Sequence, residues 1–316
     1  LNSDFCPEFH PFVAYFNGLA KWDGETDYIG ALAATVTTTE QALWWTSLRK
    51  WLVALVACAV QDGVVNQTVI VLSGQQGIGK TTWIENLVPA DLKPYLYSGT
   101  VNPDNKDTLI QLAECLLINL DELENLNKSE IGALKELITK TQINVRRPYG
   151  HNTEVLPRRA SFIGSVNSAQ FLNDTTGSRR FLCFEALNIM TNSHVLVEKA
   201  LAQAFHLFNN GFRYWFDQDE IAEINANNEQ YQLASVEEEI ILTHFEKGDA
   251  QHAQLYFNAT QVIHHLNEKG VRLPMRQVTM GKALKKLGYD RIKKGDMYVY
   301  ALNERPKVGT QLTLGM

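Results

Sequence analysis

Little in this sequence points to zinc, to disulfides or to a membrane. Its four cysteines, Cys6, Cys58, Cys115 and Cys183, lie far apart with no C-x-x-C pair, which argues against a zinc ribbon and a disulfide framework. Three of them sit in apolar runs and read as small core residues of a reducing compartment. The most apolar stretch, Trp51 to Val60, is far short of a membrane span and follows Arg49 and Lys50. No secretory leader, internal repeat or low-complexity run is recognisable. A positive excess is missing too: the net charge is −6 and the pI is near 5.8, so any nucleic-acid surface must be local. The first residue is Leu1 and not Met, which suggests a piece trimmed from a longer protein. The expectation is a soluble cytoplasmic chain with no membrane partner.

What the chain does hold is apolar content and one phosphate-type loop. Its 316 residues are 45% hydrophobic and 20% charged, enough for about two domains. The β-branched run Val69 to Leu72 stops at Ser73-Gly74. The loop Gly74-Gln75-Gln76-Gly77-Ile78-Gly79 then leads into Lys80-Thr81-Thr82, which opens a helical pattern through Leu87. Gly74, Gly79, Lys80 and Thr81 match G-x-x-x-x-G-K-S/T in the strand–loop–helix context that gives the motif meaning. Glycines let the backbone wrap a phosphate chain, and the N–H groups converge where a helix begins. An ordinary glycine-rich turn would not explain why Lys80 and Thr81 stand where phosphate and Mg2+ need them.

Around this loop the pattern is that of an α/β domain with a largely parallel sheet. Residues 1–66 read as an N-terminal helical segment, with Trp44, Leu48, Trp51, Leu52, Leu55, Val56 and Ala59 at helical spacing. The tryptophans read as core. Residues 67–190 read as the P-loop ATPase core, 191–250 as a helical region ending in a linker near 240–255, and 251–316 as a winged-helix-like domain. A second buried strand, Cys115 to Leu120, ends in Asp121-Glu122. Ser129 is expected to cap a helix carrying Ile131, Leu134, Leu137 and Ile138. A hairpin follows, with Arg146, Arg147, Arg158 and Arg159 on its sides and Tyr149 and His151 at its tip. A third buried strand, Ser161 to Val166, ends in Asn167, and Arg179-Arg180 precede a last strand from Phe181 to Phe184.

Hydrolysis of a phosphate anhydride needs neutralised charge and an in-line water. Lys80 would bridge β- and γ-phosphate oxygens, with Gly74 to Thr82 as the cofactor cradle. Thr81 would ligate Mg2+ and Asp121 would anchor it. Glu122 would orient or deprotonate the attacking water, and Asn167 would hydrogen-bond that water or the phosphate. Arg179 or Arg180 would serve as an arginine finger, worth on the order of 10³-fold in rate, and such a finger usually comes from a neighbouring subunit. The alternative for this pair is a solvated surface.

These blocks, together with Leu134-Lys135, Arg147-Pro148-Tyr149-Gly150, Arg158 to Gly164, Asp174-x-x-Gly177-x-Arg179-Arg180-Phe181 and the triplet Trp22-Asp23-Gly24, resemble the virulence-associated E family. That family resembles the superfamily 3 helicases, AAA+-like ATPases of phages, plasmids and mobile elements. The resemblance covers about residues 10–190. It implies ATP and Mg2+ as cofactors and a ring-shaped homo-oligomer, a hexamer, that moves along single-stranded DNA as a replicative-type helicase. A primase domain or protein often accompanies such a motor. The hairpin of that group grips DNA in the ring channel, which falls here on Arg146, Arg147, Tyr149, His151 and Lys135. His151 stands where a second arginine or lysine is expected. The alternative for the arginines is a solvated hairpin edge.

The tail is read from its own pattern. Between His264 and Lys307 there are eleven Lys/Arg against four Asp/Glu. Two helical stretches, 259–266 and 277–287, precede a hairpin with a Gly295-Asp296 turn, a winged-helix order. Lys282, Lys285 and Lys286 on one helical face and Lys293 and Lys294 on the wing are the expected contacts to duplex DNA phosphates. A protein-docking module has the same pattern. The competing function for the whole chain is an ATP-switched signalling or assembly protein that unwinds nothing; a small-molecule kinase leaves the hairpin unexplained.

Overall fold

The computed structural model describes residues 9–102, 105–121, 123–126, 128–146, 152–172 and 178–306. The chain divides into two compact units, Leu1–Leu233 and Ala234–Met316. Glu122, Arg147, Tyr149 and His151 lie outside the described residues.

The first unit is built on a six-stranded sheet. Its strands are β1 (Val36–Thr38), β2 (Val69–Ser73), β3 (Leu96–Ser98), β4 (Leu117–Leu120), β7 (Ser161–Ser165) and β8 (Phe181–Ile189), in the order β1-β8-β2-β7-β4-β3. All neighbours run parallel except β1, which pairs antiparallel with β8 at one edge. Strands buried on both faces read as unbroken apolar runs. Ile70, Leu72, Ile163, Leu182 and Phe184 face one core cluster, while Val69, Val71, Ile118, Phe162 and Cys183 face the other.

On the first face lie α1 (Pro11–Gly18), α2 (Tyr28–Ala33), α3 (Gln41–Val60), α4 (Lys80–Asn86) and α7 (His194–Asn209). Among the described residues, the helical expectation for 1–66 therefore meets one exception, β1, whose three residues are too few to show a strand period. Its antiparallel pairing also carries β8 on to Ile189, past the expected end at Phe184. Helix α3 is long and apolar enough to cross a bilayer, but it is buried almost all round. Trp44 and Trp51 pack fully inside, with the Trp44 indole donating to the Ala33 carbonyl at 2.9 Å.

On the second face lie α5 (Lys106–Glu114) and α6 (Lys128–Thr139), which bury Leu112, Ile131, Leu134, Leu137 and Ile138. Ser129 is the second residue of α6 and does not precede it. The expected hairpin is β5 (Gln142–Val145) paired antiparallel with β6 (Glu154–Pro157). Helix α8 (Gln218–Asn228) opens with a capping box of Asp217 and Glu220. Its Asn228 amide donates to the carbonyls of Ser178 and Phe181 and so fixes the start of β8.

In the second unit, α9 (Val236–His244), α10 (Ala259–Glu268) and α11 (Gln277–Lys286) pack on a sheet of β9 (Phe245–Lys247), β10 (Leu255–Phe257), β11 (Arg291–Lys294) and β12 (Met297–Glu304). Residues 240–255, expected as a linker, instead supply Ile240, Ile241 and Phe245 to its core. The short apolar run with charged flanks hides that burial in the sequence. Gly295, at φ 63°, makes the turn between β11 and β12.

Candidate functional site

In a parallel sheet, ligands bind outside the carboxyl ends of the strands. Here three such ends converge. The loop 74–79 leaves β2, Asp121 follows β4, and Asn167 follows β7. Gln76, Gly77, Gly79, Lys80, Thr81, Thr82, Asp121, Ser165 and Asn167 line one cleft of about 430 Å³.

Two glycines decide the shape of the loop. Gly74 has φ 141°, and a Cβ there would stand 2.6 Å from the Ala186 carbonyl oxygen. Gly79 has φ 97°, and a Cβ there would stand 2.6 Å from Thr191 Cγ2. A side chain at either position would be strained by the positive φ and would force the loop or its neighbour to shift.

Lys80 Nζ is folded back onto the loop, donating to Gly74 O at 2.7 Å, Gln75 O at 2.9 Å and Asn167 Oδ1 at 3.2 Å. The residue is only 6% exposed, and burial lowers its pKa, with the Glu124 carboxylate pulling the other way. An ammonium held by carbonyls, with no carboxylate bonded to it among the described residues, is available to an anion. Thr81 and Thr82 are exposed at the mouth. Asp121 is oriented by Asn119, whose amide donates to it at 2.9 Å. A hydroxyl beside one carboxylate is the oxygen-only donor set that suits Mg2+ bound mainly through phosphate and water. Among the described residues no cluster of three His, Cys, Asp or Glu could hold a metal by itself. The cradle and the donor set thus fit a Mg2+–nucleotide.

Sequence reasoning missed Glu124. It sits in the 3-10 turn Leu123–Asn125, accepts from the Asn167 N–H at 3.1 Å with Oε1, and leaves Oε2 buried with no hydrogen-bond partner among the described residues. The third acid of the run after β4 was the available signal.

Arg179 and Arg180 lie elsewhere. They precede β8, at the amino edge of the sheet, and line a separate cleft of about 480 Å³ with Gln67, Thr68 and Trp215. Lys135 corrects an expectation. It was placed with the DNA-gripping hairpin, but it is 9% exposed on α6, and its pKa is lowered by burial and by the nearby Arg180. It shares the α6 face of Ile131 and Ile138, which explains the burial. Arg146 is exposed at the end of β5.

In the second unit Lys282, Lys285, Lys286, Lys293 and Lys294 are all exposed. Lys286 is paired with Glu238 at 3.0 Å, and Lys294 Nζ sits 3.3 Å from the centre of the Tyr256 ring. These two are therefore engaged within their own unit. Arg291, stacked on Tyr298 at 4.6 Å, joins Lys293 on the ribbon.

Solved structures with a similar course include the apo C-terminal region of NrS-1, residues 305–718 (14% identity, 92% of this chain and 78% of that chain, TM-score 0.49). An A form of the same region gives 15% identity, the same coverage and a TM-score of 0.46. No curated protein matches significantly. The model of the virulence-associated protein E-like domain matches residues 16–233, the loop, both strand-end residues and the arginine pair included. The chain belongs to the virulence-associated protein E-like family.

Proposed function

We propose that the first unit is a P-loop ATPase of the AAA+/superfamily 3 type and that it drives movement along DNA. One observation carries this reading: Lys80, Thr81, Asp121 and Asn167, from three separate strand ends, line one cleft under a loop that only glycine can form. ATP would lie with its phosphates along residues 74–82, and Mg2+ would neutralise charge on the transferring phosphoryl group from between Thr81 and Asp121. Lys80 turns its ammonium from the loop carbonyls to the phosphates. Asn167 orients the γ-phosphate or the water, and Glu122 is assigned to activate that water.

The arginine pair sits about 15 Å away, the length of a five-residue strand, at the other end of the sheet. It therefore serves a nucleotide on another copy, which supports a homo-oligomeric ring, with a hexamer as the reading carried over from the family. Single-stranded DNA in the channel would meet Arg146 and Arg147, with Tyr149 and His151 stacking on bases. The second unit has the element order of a winged helix, and Lys282, Lys285 and Lys293 are its exposed duplex contacts.

The test is ATP turnover with and without single- and double-stranded DNA at low salt, where phosphate contacts are strongest. Stimulation by DNA supports the motor. Turnover indifferent to DNA favours the ATP-switched assembly protein. Glu122→Gln is expected to bind ATP and lose at least about 10²-fold in turnover, and a rate unchanged in that variant would put the base elsewhere.

A further inference from the structure

Glu124 is an expensive residue in its present position. A carboxylate oxygen buried without a partner forfeits its hydration with nothing in return, and native proteins keep few such groups without a reason. Its other oxygen holds a main-chain N–H, that of Asn167, at 3.1 Å. The Asn167 side chain in turn accepts from Lys80 at 3.2 Å. The Glu124 charge also reaches Lys80, opposing the loss of its proton on burial. A single side chain thus acts on both groups that would face a terminal phosphate, and it touches the ligand cleft only through them.

We propose that Glu124 is a positioning residue of this site. It fixes the main chain of Asn167 at the end of β7, so that when Lys80 leaves Asn167 for a phosphate, only the Asn167 side chain turns. The freed amide then meets the terminal phosphate or its water from a fixed pivot. The proposal rests on the nucleotide reading above for its effect on turnover, but the pivot itself exists in the ligand-free protein.

The experiment compares Glu124→Ala, Glu124→Gln and Glu124→Asp with the parent protein. The first readout needs no nucleotide: the Asn167 amide resonance, assigned by its loss in Asn167→Ser. It is expected to keep its hydrogen-bonded position in Glu124→Gln, whose side-chain oxygen still accepts, and to move upfield in Glu124→Ala. The second readout is steady-state ATP turnover. Glu124→Ala should lose at least about 10-fold in kcat with KM within about 3-fold, as expected when an aligned group is misplaced. Glu124→Gln should recover most of that loss. Glu124→Asp, which keeps the charge and shortens the reach, should behave like Glu124→Ala and serves in its place if that variant does not fold.

An Asn167 amide unmoved in both Glu124→Ala and Glu124→Asp overturns the pivot. A kcat equally poor in Glu124→Gln and Glu124→Ala overturns positioning in favour of a role for the charge itself. If the parent protein turns over no nucleotide, the ATPase reading fails, and the amide readout still decides whether Glu124 anchors Asn167.

Discussion

Lys80 keeps a charge where burial disfavours one, and its behaviour with pH follows. Its pKa lies below the 10.5 of an ordinary lysine because burial outweighs the Glu124 charge. Anion binding needs the protonated form, so nucleotide affinity should fall on the alkaline side and begin to fall below pH 10.5. Titrating a fluorescent nucleotide from neutral to alkaline pH would show this, and Lys80→Arg should move the fall to higher pH because guanidinium stays charged. Lys80→Ala should abolish binding; normal affinity in that variant would remove the central claim. The loop, Asp121 and Asn167 were legible because motif spacing and strand ends are local features. Glu124 was not, because an acid after a strand also reads as a helix cap, and only the 3-10 turn brings it back over Asn167.

At the scale of elements, one buried arginine holds several together. Arg158 is 1% exposed and donates to the carbonyls of Leu137 and Ile138, at the end of α6, and of Asn66, shortly before β2. It packs over the Phe162 ring with no carboxylate partner among the described residues, and burial lowers its pKa. Arg158→Ala would leave the Ile138 and Asn66 carbonyls without this donor, while Leu137 keeps the Lys140 N–H, and should destabilise the first unit by roughly 2–5 kcal/mol in urea unfolding. A change below about 1 kcal/mol would mean that water replaces the guanidinium. The sequence showed Arg158 only as a basic residue beside the hairpin. Charge there suggested solvent or DNA, and nothing local reveals that the ends of α6 and the residues leading into β2 converge on it. The parallel strands were legible as apolar runs, whereas β1 was too short to register.

At the scale of the whole molecule, the Lys80 cleft and the arginine pair lie at opposite ends of adjacent parallel strands. On the proposed ring reading, neither completes the other within a chain. Mixing Arg179→Ala/Arg180→Ala protein with Lys80→Ala protein should therefore restore turnover that each lacks alone, since a mixed interface joins an intact cleft to an intact pair. No recovery at any ratio would remove the shared site. The division into two units was legible as a change in charge and pattern. Its position was harder to read, because α9 looks like a continuation of the helical region until its apolar face is seen in the second core.

The tight contacts of Gly74 and Gly79 bear on more than the loop. A Cβ at Gly74 would meet the carbonyl at 186 and one at Gly79 the methyl group at 191, so the two ends of the cradle lie beside the two ends of one short segment. That segment finishes β8 and leads, through the turn Thr191–Ser193, into α7. A loop that changed its outline by the width of a methyl group on filling would have no slack to absorb the change there. The displacement would pass into the start of α7 as a lever is moved by its short arm, and the state of the cleft would be felt along a sixteen-residue helix that does not line it.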